Sequence, residues 1–152
     1  MIGWSGITLP TGSSTGNLKQ LYPTWCPTGV AKASATNGQQ IRGPVEGILY
    51  SLQVKTDGIE GGTIEIWDID GSEAGADVSS ADTITNAQLV ALQAAGSAKL
   101  IYSQNFVASP TTPFGTSHRT FQKGLAARYV GDGTCELNVV VQGGYRLTTK
   151  VG

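Results

Sequence analysis

Apolar residues recur at every second position over much of the chain, and a single stretch carries a helical pattern instead. Ile48, Tyr50, Leu52 and Val54 alternate with Leu49, Ser51, Gln53 and Lys55, the period-two signature of a strand with one buried face. Asp57-Gly58 and Gly61-Gly62 supply a connection, and a second alternating run follows from Thr63 to Ile69. Ile64 and Ile66 fall on one face of it, Glu65 and Trp67 on the other. Two such runs joined by a glycine-rich turn predict an antiparallel hairpin.

Further strands are predicted over Lys99–Val107 and Phe121–Val130, with Pro110 and Pro113 breaking the chain between them. Leu125, Ala127 and Tyr129 share one side of the latter strand. Gly131-Asp132-Gly133 turns into Thr134–Val141, where Cys135, Leu137, Val139 and Val141 share a face, and Gly143-Gly144 turns again into Tyr145–Val151. Three consecutive strands with glycine-rich turns predict a meander. The helical stretch lies within residues 82–98: Thr85 is a candidate N-cap with Gln88 as its capping-box partner, and Gly96 suits the left-handed position beyond the last turn. Its apolar stripe is thin, so it is expected to lie on one sheet as a short surface helix.

Residues 1–38 show no periodicity, and Pro10, Pro23 and Pro27 interrupt any helix. They read as an extended arm ahead of a sandwich domain at 39–152, which carries the helical insertion at 85–95. The arm nevertheless holds Trp4, Leu18, Leu21, Tyr22 and Trp25, and exposed tryptophans on a free linker would be an association hazard. Either it folds back over the sheet edge of its own domain, or it docks on a neighbouring subunit with Trp4, Tyr22 and Trp25 as interface anchors. The expected fold is an all-β antiparallel sandwich, jelly-roll-like, with one short helix and this arm.

Composition narrows the function. Twenty-one glycines in 152 residues suit a domain of many tight turns. Charged residues make up 14%, against an average of about 25%, and the net charge is −1 with no basic stripe. No nucleic-acid or anionic-membrane partner is therefore expected. No run approaches the ~18 apolar residues of a membrane span, and Met1-Ile2-Gly3-Trp4 does not open a secretory signal. Cys26 and Cys135 read as free thiols of a cytoplasmically made protein.

Candidate chemistry is sparse. His118 is the sole histidine, so neither a multi-histidine zinc site nor a triad has its parts. The nucleophile elbow, the metalloprotease helix and the phosphate-binding loop are absent. Asp68, Asp70 and Glu73, with Asp77 beyond, could wrap calcium, but they do not follow the helix–loop–helix spacing, and a solvated acidic turn is the commoner arrangement. Glu65, Asp68 and Asp70 are the carboxylates on which a glycosidase would draw. Trp67, Tyr50 and Tyr129 could form a ligand platform, though such rings more often fill a core. An enzyme is not expected, nor a cofactor.

The order Gly47-Ile48-Leu49-Tyr50, Gly61-Gly62-Thr63-Ile64-Glu65-Ile66-Trp67-Asp68, Phe121 to Gly124-Leu125, and Gly133-Thr134-Cys135-Glu136-Leu137-Asn138-Val139-Val140-Val141 resembles small β-sandwich virion proteins of tailed bacteriophages. The resemblance spans residues 45–142 and rests on pattern. It implies a capsid decoration (cement) protein, made in the host cytoplasm and located in the virion. Its implied partners are the major capsid protein or other virion proteins, and its own copies as an oligomer, a trimer being favoured. A tail or head-completion component is the variant of that role, and a carbohydrate-binding or adhesin-like sandwich is the alternative class. The group supplies no catalytic residues.

Overall fold

The alternating run around Leu52 is the middle of a far longer strand. The computed structural model describes residues 2–21, 39–57, 60–69, 83–106 and 112–149. Among these residues lie β1 (Ile2–Thr8), β2 (Leu18–Gln20), β3 (Gln39–Thr56), β4 (Gly62–Ile69), β5 (Thr83–Ile84), α1 (Asn86–Ala94), β6 (Ala98–Phe106), β7 (Thr112–Phe121), β8 (Leu125–Gly131) and β9 (Cys135–Thr149). They form two antiparallel sheets, ordered β1-β9-β3-β7 and β5-β2-β8-β4-β6.

With the small strand β5 set aside, the order has a simple logic. β1 pairs with β9, β2 with β8, β3 with β7, and β4 with β6. The chain is thus a long ribbon whose first half runs against its second, wound so that successive pairs fall in alternate sheets. That is a jelly roll, as expected from the pattern. The β5–α1 insertion occupies the ribbon's far turn, between β4 and β6.

Two sequence expectations fail on this topology. β3 and β4 do not form a hairpin: β3 pairs with β7 and β9, whereas β4 pairs with β6 and β8 in the other sheet. Nor do Phe121–Val130, Thr134–Val141 and Tyr145–Val151 form a meander, since β8 lies in the opposite sheet from β9, and the last two stretches fall along that single strand. Alternation specifies which face of a strand is buried but not which strand lies beside it, and a glycine-rich connection can arch between sheets as readily as it can turn within one. Phe121–Val130 is accordingly two strands, split at residues 122–124. Gly143-Gly144 makes no turn either: β9 runs straight through, with Gly143 opposite Gly47 and Gly144 opposite Glu46. Pro113 sits inside β7, which tolerates it as the edge strand of its sheet.

The first strands of the expected arm belong to the sandwich. β1 closes one edge of its sheet against β9, and β2 lies between β5 and β8. Between them the Leu9 N–H donates to the Cys135 carbonyl, while the Pro10 and Gly12 carbonyls accept from the Tyr129 and Gly131 N–H groups. Leu9, Leu18 and Leu21 are buried. Tyr22 and Trp25 lie outside the described residues.

The core between the sheets joins Leu49, Leu52, Val54, Leu137, Val139 and Val141 to Ile64, Ile66, Leu125, Ala127 and Tyr129. Each such side chain contributes roughly 1.5–3 kcal/mol on full burial. A second cluster lies on the outer face of the β8–β4 region, where Leu89 and Leu92 of α1 cover Leu18, Trp67, Ile69, Ile84 and Ala126. The helix begins where expected. Thr85 Oγ1 accepts from the Gln88 N–H at 3.2 Å, Gln88 Oε1 accepts from the Thr85 N–H at 2.8 Å, and Gly96 takes φ +74° just beyond the C-cap residue Ala95.

Candidate functional site

Of the carboxylates singled out by the sequence, Asp68 and Glu65 are engaged in bonds that hold the fold together. Asp68 reaches from β4 to the β7–β8 turn and accepts from the backbone N–H groups of Gln122, Lys123 and Gly124 at 2.9, 2.8 and 3.3 Å. Asp57 accepts from the Thr134 N–H in the β8–β9 turn, and that bond above all holds its carboxyl below the ordinary range. Asp132 accepts from the Glu60 N–H at 3.2 Å. Asp57 and Asp132 thus tie the β3–β4 and β8–β9 connections to each other, and Asp68 ties the end of β4 to the β7–β8 turn. Asp70, Glu73 and Asp77, the other members of the acidic cluster, lie outside the described residues. Among the described residues, no three His, Cys, Asp or Glu side chains come together in a group that could hold a metal ion.

Glu65 is bound to Arg128 on β8, the next strand of the sheet. Arg128 is only 5% exposed. Its Nη1 also donates to the Gly16 carbonyl at 2.8 Å and to Asn86 Oδ1 at 3.2 Å, which joins the β1–β2 connection and the start of α1 to the sheet. Trp67 Nε1 approaches the same Glu65 carboxylate at 3.5 Å. A buried ion pair adds little net stability but makes the loss of either partner costly. It therefore fixes where α1 lies on the sheet. The sequence signal for it was a lone arginine inside the apolar run Leu125–Val130.

The three rings proposed as a platform lie on three different faces of the two sheets. Trp67 is buried beneath α1, and Tyr129 is buried between the sheets. Tyr50 stands on the outer face of the other sheet, half-buried. The period-two reading put Tyr50 and Ile48 on the same face as Leu52. A bulge between Leu49 and Ser51 reverses the phase, so Leu49 points inward and Tyr50 outward. Across from Tyr50 is exposed His118, the two rings T-shaped with centroids 4.5 Å apart. Trp4 is placed in β1 opposite Val139.

Cys135 begins β9 with its side chain fully buried in the core, and burial pushes its thiol up to about 12. Cys26 lies outside the described residues. The ordinary thiol value is 9.0, so between pH 9 and 12 the unfolded chain releases a proton that the folded chain retains, and stability falls as pH rises. By pH 11 this linkage is worth roughly 2–3 kcal/mol, each unit of difference being worth about 1.4 kcal/mol. Denaturant titrations at pH 8 and pH 11 should show the native chain losing that much more stability than Cys135→Ala. Parallel losses in the two proteins would mean that the thiol is not held in the core.

No family model, curated protein or solved structure matches the chain. Among the described residues, no helix is long and apolar enough to cross a membrane.

Proposed function

We propose that the chain is a virion structural protein of tailed-bacteriophage type, a decoration protein that binds and braces the head lattice. What supports this reading is the pattern resemblance over residues 45–142 together with the disposition of the polar groups. The observation that carries it is the engagement of Asp57, Asp68, Asp132, Glu65 and Arg128 in bonds that rigidify the scaffold. Catalysis needs such groups held ready for a substrate. Bracing a lattice needs instead a stiff module with its surface left for contact. Jelly rolls serve in viral capsid domains and in lectins, so the fold supports the reading by analogy alone.

On a lattice, many copies turn modest single contacts into high avidity. The proposed anchors remain Trp4, Tyr22 and Trp25, large aromatics of the kind that dominate interfaces, with self-association as a trimer. Because β1 and β2 are strands of the sandwich, the anchors are best tested by substitution. The double variant Tyr22→Ser/Trp25→Ser is expected to lose at least about tenfold in affinity for empty heads of the encoding phage, read by co-sedimentation with a thermal melt as the control for folding. Undiminished occupancy would remove these residues from the interface. A wild-type chain that stays in the supernatant would overturn the decoration reading itself.

A further inference from the structure

The outer face of the β1-β9-β3-β7 sheet carries an aromatic and amide cluster for which the decoration role has no use. Tyr50 is an extra residue in β3: Leu49 pairs with Val141 and Ser51 with Val140, leaving Tyr50 unmatched in β9. On the other side Leu49 pairs with Arg119 and Ser51 with Gly115, so residues 116–118 of β7 bulge opposite it. The two bulges together re-aim Tyr50 and His118 toward each other on the surface.

His118 takes φ +52°, and among the described residues it is the one non-glycine in the left-handed region. A β-carbon is strained there, and an exposed side chain gains little packing in return. The strained residue is held against Tyr50, whose hydroxyl donates to Gln142 Oε1 at 2.6 Å. Farther along the same face, Asn138 Nδ2 donates to Gln53 Oε1 at 2.9 Å, and Asn138 Oδ1 accepts from the Gly6 N–H at 2.9 Å. The result is a fixed ring pair followed by ordered amides across adjacent strands.

We infer that this face is a glycan-binding site, taking a neutral oligosaccharide along the line from His118 and Tyr50 through Gln142 toward Gln53 and Asn138. A tyrosine face stacks on the C–H surface of a pyranose. Amides and imidazole each offer a donor and an acceptor, the combination that sugar hydroxyls require. Around the amides of this face the charges offset, because Lys55 and Glu136, which flank them, are register partners. Its apolar members Ile48 and Val140 are already half-buried, too little surface for an apolar protein partner. The site is independent of the decoration reading and does not require it.

The strain makes the test selective. Glycine adopts φ +52° without a β-carbon clash, so His118→Gly is expected to melt at or above the wild-type temperature while removing the imidazole. The probes are maltohexaose, cellohexaose, xylohexaose, mannohexaose and chitohexaose, titrated calorimetrically. At least one is expected to bind wild type saturably, to bind His118→Gly at least tenfold more weakly, and to bind Tyr50→Phe, which keeps the ring but breaks the Gln142 link, several-fold more weakly. Absence of saturable binding to all five overturns the inference, and so does equal affinity for wild type and both variants. Co-sedimentation of the same variants with empty heads is expected to be unchanged, which separates failure of this site from failure of the decoration role.

Discussion

Removal of residues 1–21 is expected to leave a chain that does not fold. The deletion takes away β1, the whole edge of one sheet, and β2, which lies between β5 and β8 in the other. Buried Leu9, Leu18 and Leu21 go with it. At roughly 1.5–3 kcal/mol per buried side chain, those three alone approach the 5–15 kcal/mol by which a typical domain is stable. The loss continues in the polar groups left behind. The Tyr129 and Gly131 N–H groups lose the Pro10 and Gly12 carbonyls, and the buried Arg128 guanidinium loses the Gly16 carbonyl. Each orphaned buried donor costs about 1–3 kcal/mol more. The truncated chain should show no cooperative thermal transition by circular dichroism and no dispersed amide spectrum by NMR. A cooperative melt within about 3 °C of the full-length protein, the shift expected from a loss of only about 1 kcal/mol, would show that these strands are dispensable and that the segment behaves as a detachable arm.

That segment also shows where the sequence was hard to read. β1 alternates only as far as Trp4; Gly6 then takes φ +69° and the register with β9 shifts before Ile7. An irregular strand has no clean period, so it read as coil. The helix was legible because its signals are local: Thr85, Gln88 and Gly96 act within a turn or two of one another. The inward faces of β8 and β9 were legible for a similar reason, because alternation is a property of one strand. Strand partners were not, since a jelly roll pairs β1 with β9 and β2 with β8 across more than a hundred residues. The Tyr50–His118 pair was hidden doubly, as its geometry depends on bulges in two strands distant in sequence. The role of Arg128 was not legible, because nothing in the strand pattern says that α1 will cover that face.

Gly131→Ala should be among the most destabilising single substitutions, lowering the melting temperature by roughly 10 °C. Gly62 and Gly131 are opposite each other in the β4–β8 ladder, and the ring of Tyr129, two residues before Gly131, lies across both. Its hydroxyl donates to the Gly61 carbonyl at 3.1 Å, and the side chain is 1% exposed. A β-carbon on Gly62 would come within 2.6 Å of the Tyr129 ring and of the Val130 carbonyl oxygen; one on Gly131 would run into the Tyr129 hydroxyl. The ring cannot move aside without leaving its place between the sheets. Overpacking costs about 1–3 kcal/mol, and displacing the hydroxyl adds about 1–3 kcal/mol for the stranded polar group. The cause can be isolated by a double-mutant cycle with Tyr129→Leu, which empties the space above the glycines. In that background the approach to the Gly61 carbonyl oxygen at 2.8 Å remains but the ring's share of the clash is gone, so Gly131→Ala should cost clearly less than in the wild type and the two changes couple. Tyr129→Phe should recover only part of the loss, because it clears the hydroxyl but leaves the ring. If the costs of Gly131→Ala and Tyr129→Leu simply add, the ring does not fill the glycine slot and the packing described for this corner of the sandwich is wrong.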